Sequence, residues 1–228
     1  MTTATYTRFR SDLETYFDRT ASKAWEQLTS DAPVSGIRAT VRAGRIEMRN
    51  TLMSWLPADM TGLRLLDAGC GTGALAVEAA QRGADVVAID VAGSLVEIAR
   101  KRAPADLKID WRVSDMMDPA LGRFDHVVAM DSLIHYRPFD IVDVVSSLAE
   151  RTSGSLLFTF APQTPLLTAM LGVGRLFPRG DRSPAIIPVR ERLLRTLIRN
   201  ALPKAGLGRD RRISASFYTS HALEVLPR

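Results

Sequence analysis

The sequence predicts an α/β fold in which helices cover both faces of a mostly parallel, Rossmann-like sheet. From residue 62 onward, short apolar runs rich in Val, Ile, Leu and Phe alternate with stretches of helical periodicity, the pattern of a buried parallel sheet. The first run leads straight into a glycine-rich turn and then a helix, as in nucleotide-binding βα units. With 46% hydrophobic and 24% charged residues in 228, the composition excludes a disordered or fibrous chain.

The central region alternates strands and helices. Its apolar runs predict strands at 63–68, 84–89, 107–113, 124–130 and 155–160. The stretches between them predict helices at 73–82, 93–102 and 139–151. A helix after most strands indicates right-handed crossovers and therefore parallel pairing.

A different pattern precedes this core. Residues 1–60 predict a helical arm, with one amphipathic helix at 5–28 and a second at 37–55. The Pro- and Gly-containing stretch 31–36 separates the two helices. We expect the main domain to occupy 61–228.

The chain after the fifth strand predicts an inserted lid and a closing unit. Residues 162–187 are dense in Pro and Gly and too long for a tight turn, so we interpret them as a lid or substrate segment. A helix is expected at 188–202. Closing strands are expected at 213–220 and 222–227.

The cysteine content and the charge distribution indicate where the protein is expected to be located and what it is expected to bind. The single cysteine, Cys70, cannot form an internal disulfide, and the first residues lack an apolar signal core, so a cytoplasmic location is expected. Residues 151–228 carry 13 basic and only 4 acidic side chains, which indicates an anionic partner. Twelve of the 13 are Arg and few aromatic residues accompany them, which argues against nucleic acid.

The glycine-rich turn predicts a cofactor site. Gly69, Gly71 and Gly73 follow the first strand and open a helix, so the backbone can approach a ligand closely at the helix N-terminus. The spacing Gly69-x-Gly71-x-x-Ala74 also satisfies the dinucleotide fingerprint. The turn alone therefore leaves NAD and S-adenosylmethionine open.

Acidic residues around the turn favour S-adenosylmethionine. Asp67 precedes the turn, where a carboxylate can bind an ammonium group, and Asp90 closes the second strand, where it can accept ribose hydroxyls. Asp115 and Met116 follow the third strand and are expected to hold an adenine. Met130, at the end of the fourth strand, is expected to line the same site. This order of motifs is similar to that of class I methyltransferases.

The residues expected near the methyl acceptor exclude two kinds of methyl transfer. The segment after the fourth strand, 130–136, lacks the Asn/Asp-Pro-Pro-aromatic motif of enzymes that methylate amines of adenine or the glutamine amide. Methylation of cytosine C5 needs a nucleophilic Cys, and Cys70 lies inside the cofactor turn.

His135 lies beyond the carboxyl end of the fourth strand, the edge at which open α/β sheets bind ligands. In the lid, three arginines bracket a Gly/Pro-rich turn and are candidates for binding an anion: Arg175, Arg179 and Arg182.

Four segments together carry a family resemblance: AGCGTGALA (68–76), MDSLIHY (130–136), TFAPQTPLL (159–167) and FPRGDRSPAI (177–186). With them, the chain resembles the magnesium-protoporphyrin IX O-methyltransferases of bacteriochlorophyll synthesis over nearly its whole length. The resemblance implies methyl transfer from S-adenosylmethionine to a ring propionate of Mg-protoporphyrin IX, giving the monomethyl ester and S-adenosylhomocysteine. Magnesium would enter only as part of the porphyrin.

The resemblance also implies residue roles and partners. His135 and Tyr16 are expected to serve catalysis, and Tyr136 to contact the substrate. Tyr16 belongs to a Tyr-Phe pair, but the Asp18-Arg19 that follows departs from the Asn of plant and cyanobacterial members. The large porphyrin-binding subunit of magnesium chelatase is an implied partner. Amphipathic and Arg-rich segments could also contact anionic membrane at its periphery.

Three alternatives stay open from the sequence. The first is an O-methyltransferase acting on another small-molecule carboxylate or hydroxyl. The second is an NAD-dependent oxidoreductase. The third is a non-catalytic porphyrin carrier.

Overall fold

The computed structural model describes residues 3–18, 29, 36–165, 167 and 185–227. The helices are α1 (Ala4–Tyr16), α2 (Ile37–Ser54), α3 (Ala74–Gln81), α4 (Gly93–Arg102), α5 (Pro138–Ala149) and α6 (Glu191–Ala201). The strands are β1 (Arg64–Ala68), β2 (Asp85–Asp90), β3 (Ile109–Val113), β4 (Phe124–Ala129), β5 (Thr152–Phe160), β6 (Gly206–Ala215) and β7 (Tyr218–Leu226). Short 3-10 turns lie at Pro119–Leu121 and Leu133–His135.

The described strands form one sheet in the order β3-β2-β1-β4-β5-β7-β6. Strands β1 to β5 pair in parallel, and β7 runs antiparallel to both of its neighbours, β5 and β6. The predicted α/β class and mostly parallel sheet are therefore confirmed. Strand β5 begins at Thr152, three residues before the predicted start, because its first residues, Thr-Ser-Gly, carry no apolar signal.

Alternation along the strands buries both faces of the sheet. In β4, Val127 and Ala129 belong to one apolar cluster while Val128 belongs to the other. The same alternation places Leu156 and Leu157 of β5 in opposite clusters. Since successive side chains of a strand point to opposite faces, two helical layers are needed to cover this sheet. Helix α5 packs into the first cluster and helix α3 into the second.

The closing unit is a hairpin whose turn the sequence analysis misplaced. Residues 213–220 were expected to form one strand, but Ser216 and Phe217 form a turn between β6 and β7. Ser216 has φ +51°, a conformation that hairpin turns usually assign to Gly or Asn. A Ser-Phe turn therefore gave no sequence signal. The true strands are longer, Gly206–Ala215 and Tyr218–Leu226.

The arm and the lid are described in part. Helix α1 begins at Ala4 and covers residues 5–16 of the predicted helix at 5–28, and most of the remainder lies outside the described residues. Most of the predicted lid at 162–187 also lies outside them. The chain on its two sides is joined where Pro162 bridges Val189, and Ile187 N–H donates to the carbonyl of Ile134 in the 3-10 turn after β4. The domain boundary near residue 60 stays a prediction. None of the described helices is long and apolar enough to span a bilayer.

Candidate active site

A cavity of about 410 Å³ opens at the carboxyl edge of the parallel strands. Its walls come from the glycine-rich turn after β1, the ends of β2 and β4, one face of α2 and the hairpin turn between β6 and β7. This is the edge at which open α/β sheets bind ligands. The cavity therefore brings the predicted cofactor motif and the predicted acceptor residues into one space.

The glycine-rich turn is held in a shape that needs glycine. Gly69 and Gly73 have φ of +87° and +81°, in the left-handed region. A Cβ on Gly69 would lie 2.4 Å from the Cβ of Ser132, which follows β4. The turn is tied to β2 by the N–H groups of Gly69 and Cys70, both 2.8 Å from the carbonyl of Ile89. These bonds shape a backbone cradle directly before helix α3.

Two buried carboxylates face this cradle. Asp67 is 2% exposed, and its Oδ2 has no hydrogen-bond partner among the described residues. Burial and the neighbouring Asp90 raise the pKa of Asp67 to about 7. Asp90 accepts the N–H of Gly71 at 2.9 Å and that of Ala92 at 3.0 Å, and burial raises its pKa. An unpaired, buried carboxylate beside a cavity is a site for a cationic group.

Asp115 and Met116, the two residues expected to hold an adenine, lie in different surroundings. Met116 lines the cavity, as does Met130. Asp115 faces α1 instead, where its carboxylate accepts Tyr6 Oη–H at 2.5 Å and pairs with Arg10 at 2.9 Å. Its expected contact with adenine stays a prediction.

His135 is brought to the cavity as the sequence predicted. The 3-10 turn after β4 leaves the histidine 7% exposed in the cavity wall. Its Nδ1 lies 3.4 Å from the carbonyl oxygen of Ala185. A carbonyl only accepts, so this contact places the hydrogen on Nδ1.

Tyr136 also lines the cavity and stacks on Tyr6 with ring centroids 5.0 Å apart. Burial raises the pKa of the Tyr136 phenol, so it stays protonated at neutral pH. The stacking joins the acceptor side of the cavity to the arm.

Tyr16 lies at the C-terminal end of α1, half-buried, with its ring edge against Phe17. Phe17 and Leu13 line the cavity, whereas Tyr16 lies beside that lining. The lid arginines fall outside the described residues, so their predicted role is untested: Arg175, Arg179 and Arg182.

Sequence reasoning missed a buried network at Asp131. This residue directly follows Met130 and has φ +53°, a conformation that is uncommon outside glycine. Its carboxylate pairs with Arg45 of α2 at 2.7 Å and accepts the Tyr218 hydroxyl at 3.1 Å and that of Ser220 at 3.0 Å. The partners lie about 90 residues away in each direction, so no local pattern could have revealed them.

The missed network leads to a second missed feature, a row of arginines on α2. Arg42, Arg45 and Arg49 all line the cavity. Their spacing of three and four residues is a helical face and could have been noticed in the sequence. The sequence could not have shown what this helical face contacts.

The fold and the cavity define the class of this protein. A parallel sheet closed by an antiparallel β7, with an acidic Gly-rich turn after β1 and Asp90 at the end of β2, is that of a class I methyltransferase. A general methyltransferase-domain model matches residues 65–153.

Comparison with known proteins narrows the class to a family. A model described as the magnesium-protoporphyrin IX methyltransferase C-terminus matches residues 129–227. The chain is 48% identical to the magnesium-protoporphyrin O-methyltransferase of Rhodobacter capsulatus, over 97% of this chain and 98% of that one. The crystal structure of magnesium protoporphyrin IX methyltransferase from Synechocystis PCC 6803 with bound S-adenosylhomocysteine superposes with a TM-score of 0.84 at 27% identity. It covers 96% of this chain and 99% of that one. The chain belongs to the magnesium-protoporphyrin O-methyltransferase family.

Proposed function

We propose that this protein transfers a methyl group from S-adenosylmethionine to a propionate carboxylate of Mg-protoporphyrin IX, giving the monomethyl ester and S-adenosylhomocysteine. One observation carries the proposal. A single cavity connects Asp67, a buried carboxylate at a glycine-rich turn whose Oδ2 has no hydrogen-bond partner among the described residues, with His135 at the end of β4. The names of the similar proteins support the choice of substrate.

The residues present fit the cofactor. Asp67 Oδ2 is the buried acceptor that an ammonium group would satisfy, and Asp90 stands at the end of β2, where ribose hydroxyls can reach it. A side chain on Gly69 would collide with Ser132, so the turn keeps this shape against the end of β4 only because glycine stands there. When bound, S-adenosylmethionine supplies a methyl group on a positively charged sulfur, the electrophile for a carboxylate oxygen.

The chain's own contribution is positioning rather than proton transfer. A propionate is ionised at neutral pH, so the reaction needs no general base. Holding the carboxylate in line and removing water around it can supply roughly 7–11 kcal/mol in well-oriented cases. His135, buried in the cavity wall with its Nδ1 held 3.4 Å from the carbonyl oxygen of Ala185, is suited to orient the acceptor. Magnesium belongs to the substrate.

We also propose roles for the remaining predicted residues. Tyr16 lies one position before Phe17, which lines the cavity, so a small movement of the end of α1 would bring its phenol to the acceptor. The lid arginines would cover the porphyrin and contact its edge. Asp115 would bind adenine after exchanging its contacts with α1.

Two contacts outside the site belong to the same proposal. The basic character of residues 151–228 supports docking to an anionic surface, either the periphery of a membrane or the porphyrin-binding subunit of magnesium chelatase. Arg211 and Arg212 of the edge strand β6 belong to this basic region of the chain and are exposed. A cytoplasmic location is proposed with it.

The test is a single-turnover assay with purified protein, Mg-protoporphyrin IX and S-adenosylmethionine labelled in the methyl group. We expect label in the monomethyl porphyrin ester. Tight binding of the porphyrin without transfer would instead identify a carrier. Transfer to other carboxylates or hydroxyls, with none to the porphyrin, would identify a different O-methyltransferase.

Substitution of His135 by Ala then tests its role. We expect kcat to fall about 10- to 100-fold, with a pH profile of unchanged shape between pH 6 and 8, because the histidine orients and does not abstract a proton. His126, which bonds Ser155 in the sheet, provides the control, and His126→Gln should leave kcat within about twofold. A kcat for His135→Ala equal to that of the wild type would contradict the assignment.

A further inference from the structure

The proposed methyl transfer uses no residue of the arginine row on α2. Arg42, Arg45 and Arg49 are half-buried and line the cavity, and Arg49 also pairs with Glu78 of α3 at 3.3 Å. Arg38 lies on the same helical face one turn earlier, but it is exposed and outside the lining. The cavity therefore receives the arginine row but not Arg38, so the row is more than a solvated helix face.

Helix α2 is held rigidly where it presents these side chains. Gly44 lies so close to the ring of Tyr218 that a Cβ there would be 2.4 Å from ring atom Cδ1. One residue later, Arg45 is tied to Asp131 at 2.7 Å. Asp131 is in turn fixed by the hydroxyls of Tyr218, Ser220 and Thr159, at 3.0 to 3.2 Å. The helix, the hairpin and the end of β4 thus meet at one buried carboxylate.

The pair presents its cation to the cavity. The Arg45 side chain is 21% exposed, whereas that of Asp131 is 4% exposed. A guanidinium carries five N–H donors on more than one edge, so pairing with Asp131 and binding a second carboxylate are compatible. Asp131 thereby acts as a positioning residue for Arg45.

The surroundings of the arginines suit a large, flat, apolar ligand with acidic groups at one edge. Ile46 of α2 and Phe217 of the hairpin turn also line the cavity, and both are exposed large hydrophobic residues, at 42% and 47%. Ile134 and Ile186 line it as well. Exposed apolar side chains around arginines are typical of a binding surface rather than of a solvated helix.

We infer that Arg42 and Arg45 form the binding site for the two propionate carboxylates of the porphyrin. The inference rests on the proposed function and names the substrate contacts of the same cavity. The two propionates of protoporphyrin IX stand on neighbouring pyrrole rings. Residues three apart on a helix are also neighbours, with Cβ atoms about 5–6 Å apart. Two adjacent cations therefore face two adjacent anions.

The experiment measures binding of two porphyrins that differ only in these carboxylates. Mg-protoporphyrin IX and its dimethyl ester are titrated, in the same detergent buffer, against wild-type protein, Arg42→Met and the double variant Arg45→Met/Asp131→Asn. The double variant removes both charges of the buried pair and so avoids leaving Asp131 unpaired. Arg38→Met removes the same charge from the same helix outside the cavity, and it serves as the control. Circular dichroism and the S-adenosylmethionine Kd confirm that each variant is folded.

We expect the wild type and Arg38→Met to bind the diacid at least about 10-fold more tightly than the diester. Each cavity variant should lose most of that preference while its diester Kd stays within about twofold. Equal losses for both porphyrins would assign the arginines a structural role and overturn the inference, even if the wild type methylates the diacid. Failure of the wild type to bind either porphyrin would contradict the proposed function itself, and the inference with it.

Discussion

The two halves of the cavity are built in opposite ways. The cofactor half consists of a backbone turn and two carboxylates from a stretch of 24 residues, Asp67 to Asp90. The acceptor half is assembled from side chains of α2, the end of β4 and the β6–β7 hairpin, which lie far apart in the chain. The first half depends on glycine backbone geometry, and the second depends on long-range hydrogen bonds around Asp131.

This difference predicts how each half fails. A change in the turn should distort the backbone and weaken cofactor binding strongly. A change on the acceptor side shifts one packed element against another, so it should affect porphyrin binding and leave the cofactor in place. Variants in each half, measured for binding of both S-adenosylmethionine and the porphyrin, test whether the two halves are independent.

The largest effect is expected from Gly69→Ala. The new Cβ would lie 2.4 Å from Ser132 Cβ, and the residue has φ +87°. We expect S-adenosylmethionine affinity to fall at least about 100-fold and the unfolding free energy to drop by about 2–4 kcal/mol. Isothermal titration and denaturant unfolding measure the two.

Gly62→Ala is the matched control, because Gly62 also has positive φ, +77°, but a Cβ there meets no described atom within 4 Å. It should cost about 1 kcal/mol in stability and leave the cofactor affinity unchanged. Equal effects of the two variants would show that strain, not the close approach to Ser132, makes the turn sensitive.

The next effect is a pH dependence from Asp67, whose pKa burial raises to about 7. If the charged form binds the cofactor's ammonium as proposed, the S-adenosylmethionine Kd should rise up to about tenfold per unit as pH falls from 7 to 5.5. The stability of the ligand-free protein should change in the opposite direction and fall as pH rises. Because the folded state holds this proton more tightly, the contribution of Asp67 to stability is complete below the ordinary carboxyl pKa of about 4 and is lost as pH rises to about 7.

Asp67→Asn separates these contributions. It should weaken cofactor binding about 10- to 100-fold at pH 7.5 and flatten both pH profiles. Calorimetric binding and thermal melts across pH 5 to 8 measure them. A variant that keeps the wild-type slopes would assign the titration to another group.

A smaller effect, confined to the acceptor half, is expected from Gly44→Ala. Alanine favours the helix by about 1 kcal/mol, but its Cβ would lie 2.4 to 2.9 Å from atoms of Tyr218. We expect α2 to shift, raising the porphyrin KM about 10-fold while the S-adenosylmethionine Kd stays within about twofold. Steady-state kinetics with each substrate varied in turn measure both.

Gly206→Ala, where a Cβ makes only ordinary contact at 3.7 Å with Leu226, provides the control and should change neither constant. An increase of both constants in Gly44→Ala would show that the two halves of the cavity are not independent.

The smallest effect is expected from Tyr6→Phe. The ring can still stack on Tyr136, but the hydroxyl bond to Asp115 is lost, about 1 kcal/mol. We expect faster proteolytic cleavage within α1 and a change in cofactor Kd of less than about fivefold, in the direction of tighter binding if Asp115 is released to the cofactor. Limited proteolysis with and without S-adenosylmethionine measures the first. Unchanged cleavage would show that Arg10 alone holds α1 to Asp115.

Much of the fold was predictable because its signals are local. The alternation of apolar runs and helices identified β1 to β5 and the helices between them, and the glycine turn identified the cofactor side. The position of His135 in the cavity wall was predictable because open α/β sheets bind ligands at the carboxyl ends of their parallel strands. The hairpin turn was missed because Ser216 and Phe217 are not the residues that such turns usually contain.

By itself, the sequence determined the parallel sheet, the backbone cradle and the two carboxylates beside it, since these depend on neighbours in the chain. Only the tertiary structure decided that Arg45, Asp131 and Tyr218 meet, and that Asp115 faces α1 rather than the cavity. The physical reason is the range of the interactions. Glycine geometry and strand patterning act over a few residues, whereas a buried carboxylate takes its partners from whatever segments packing brings to it.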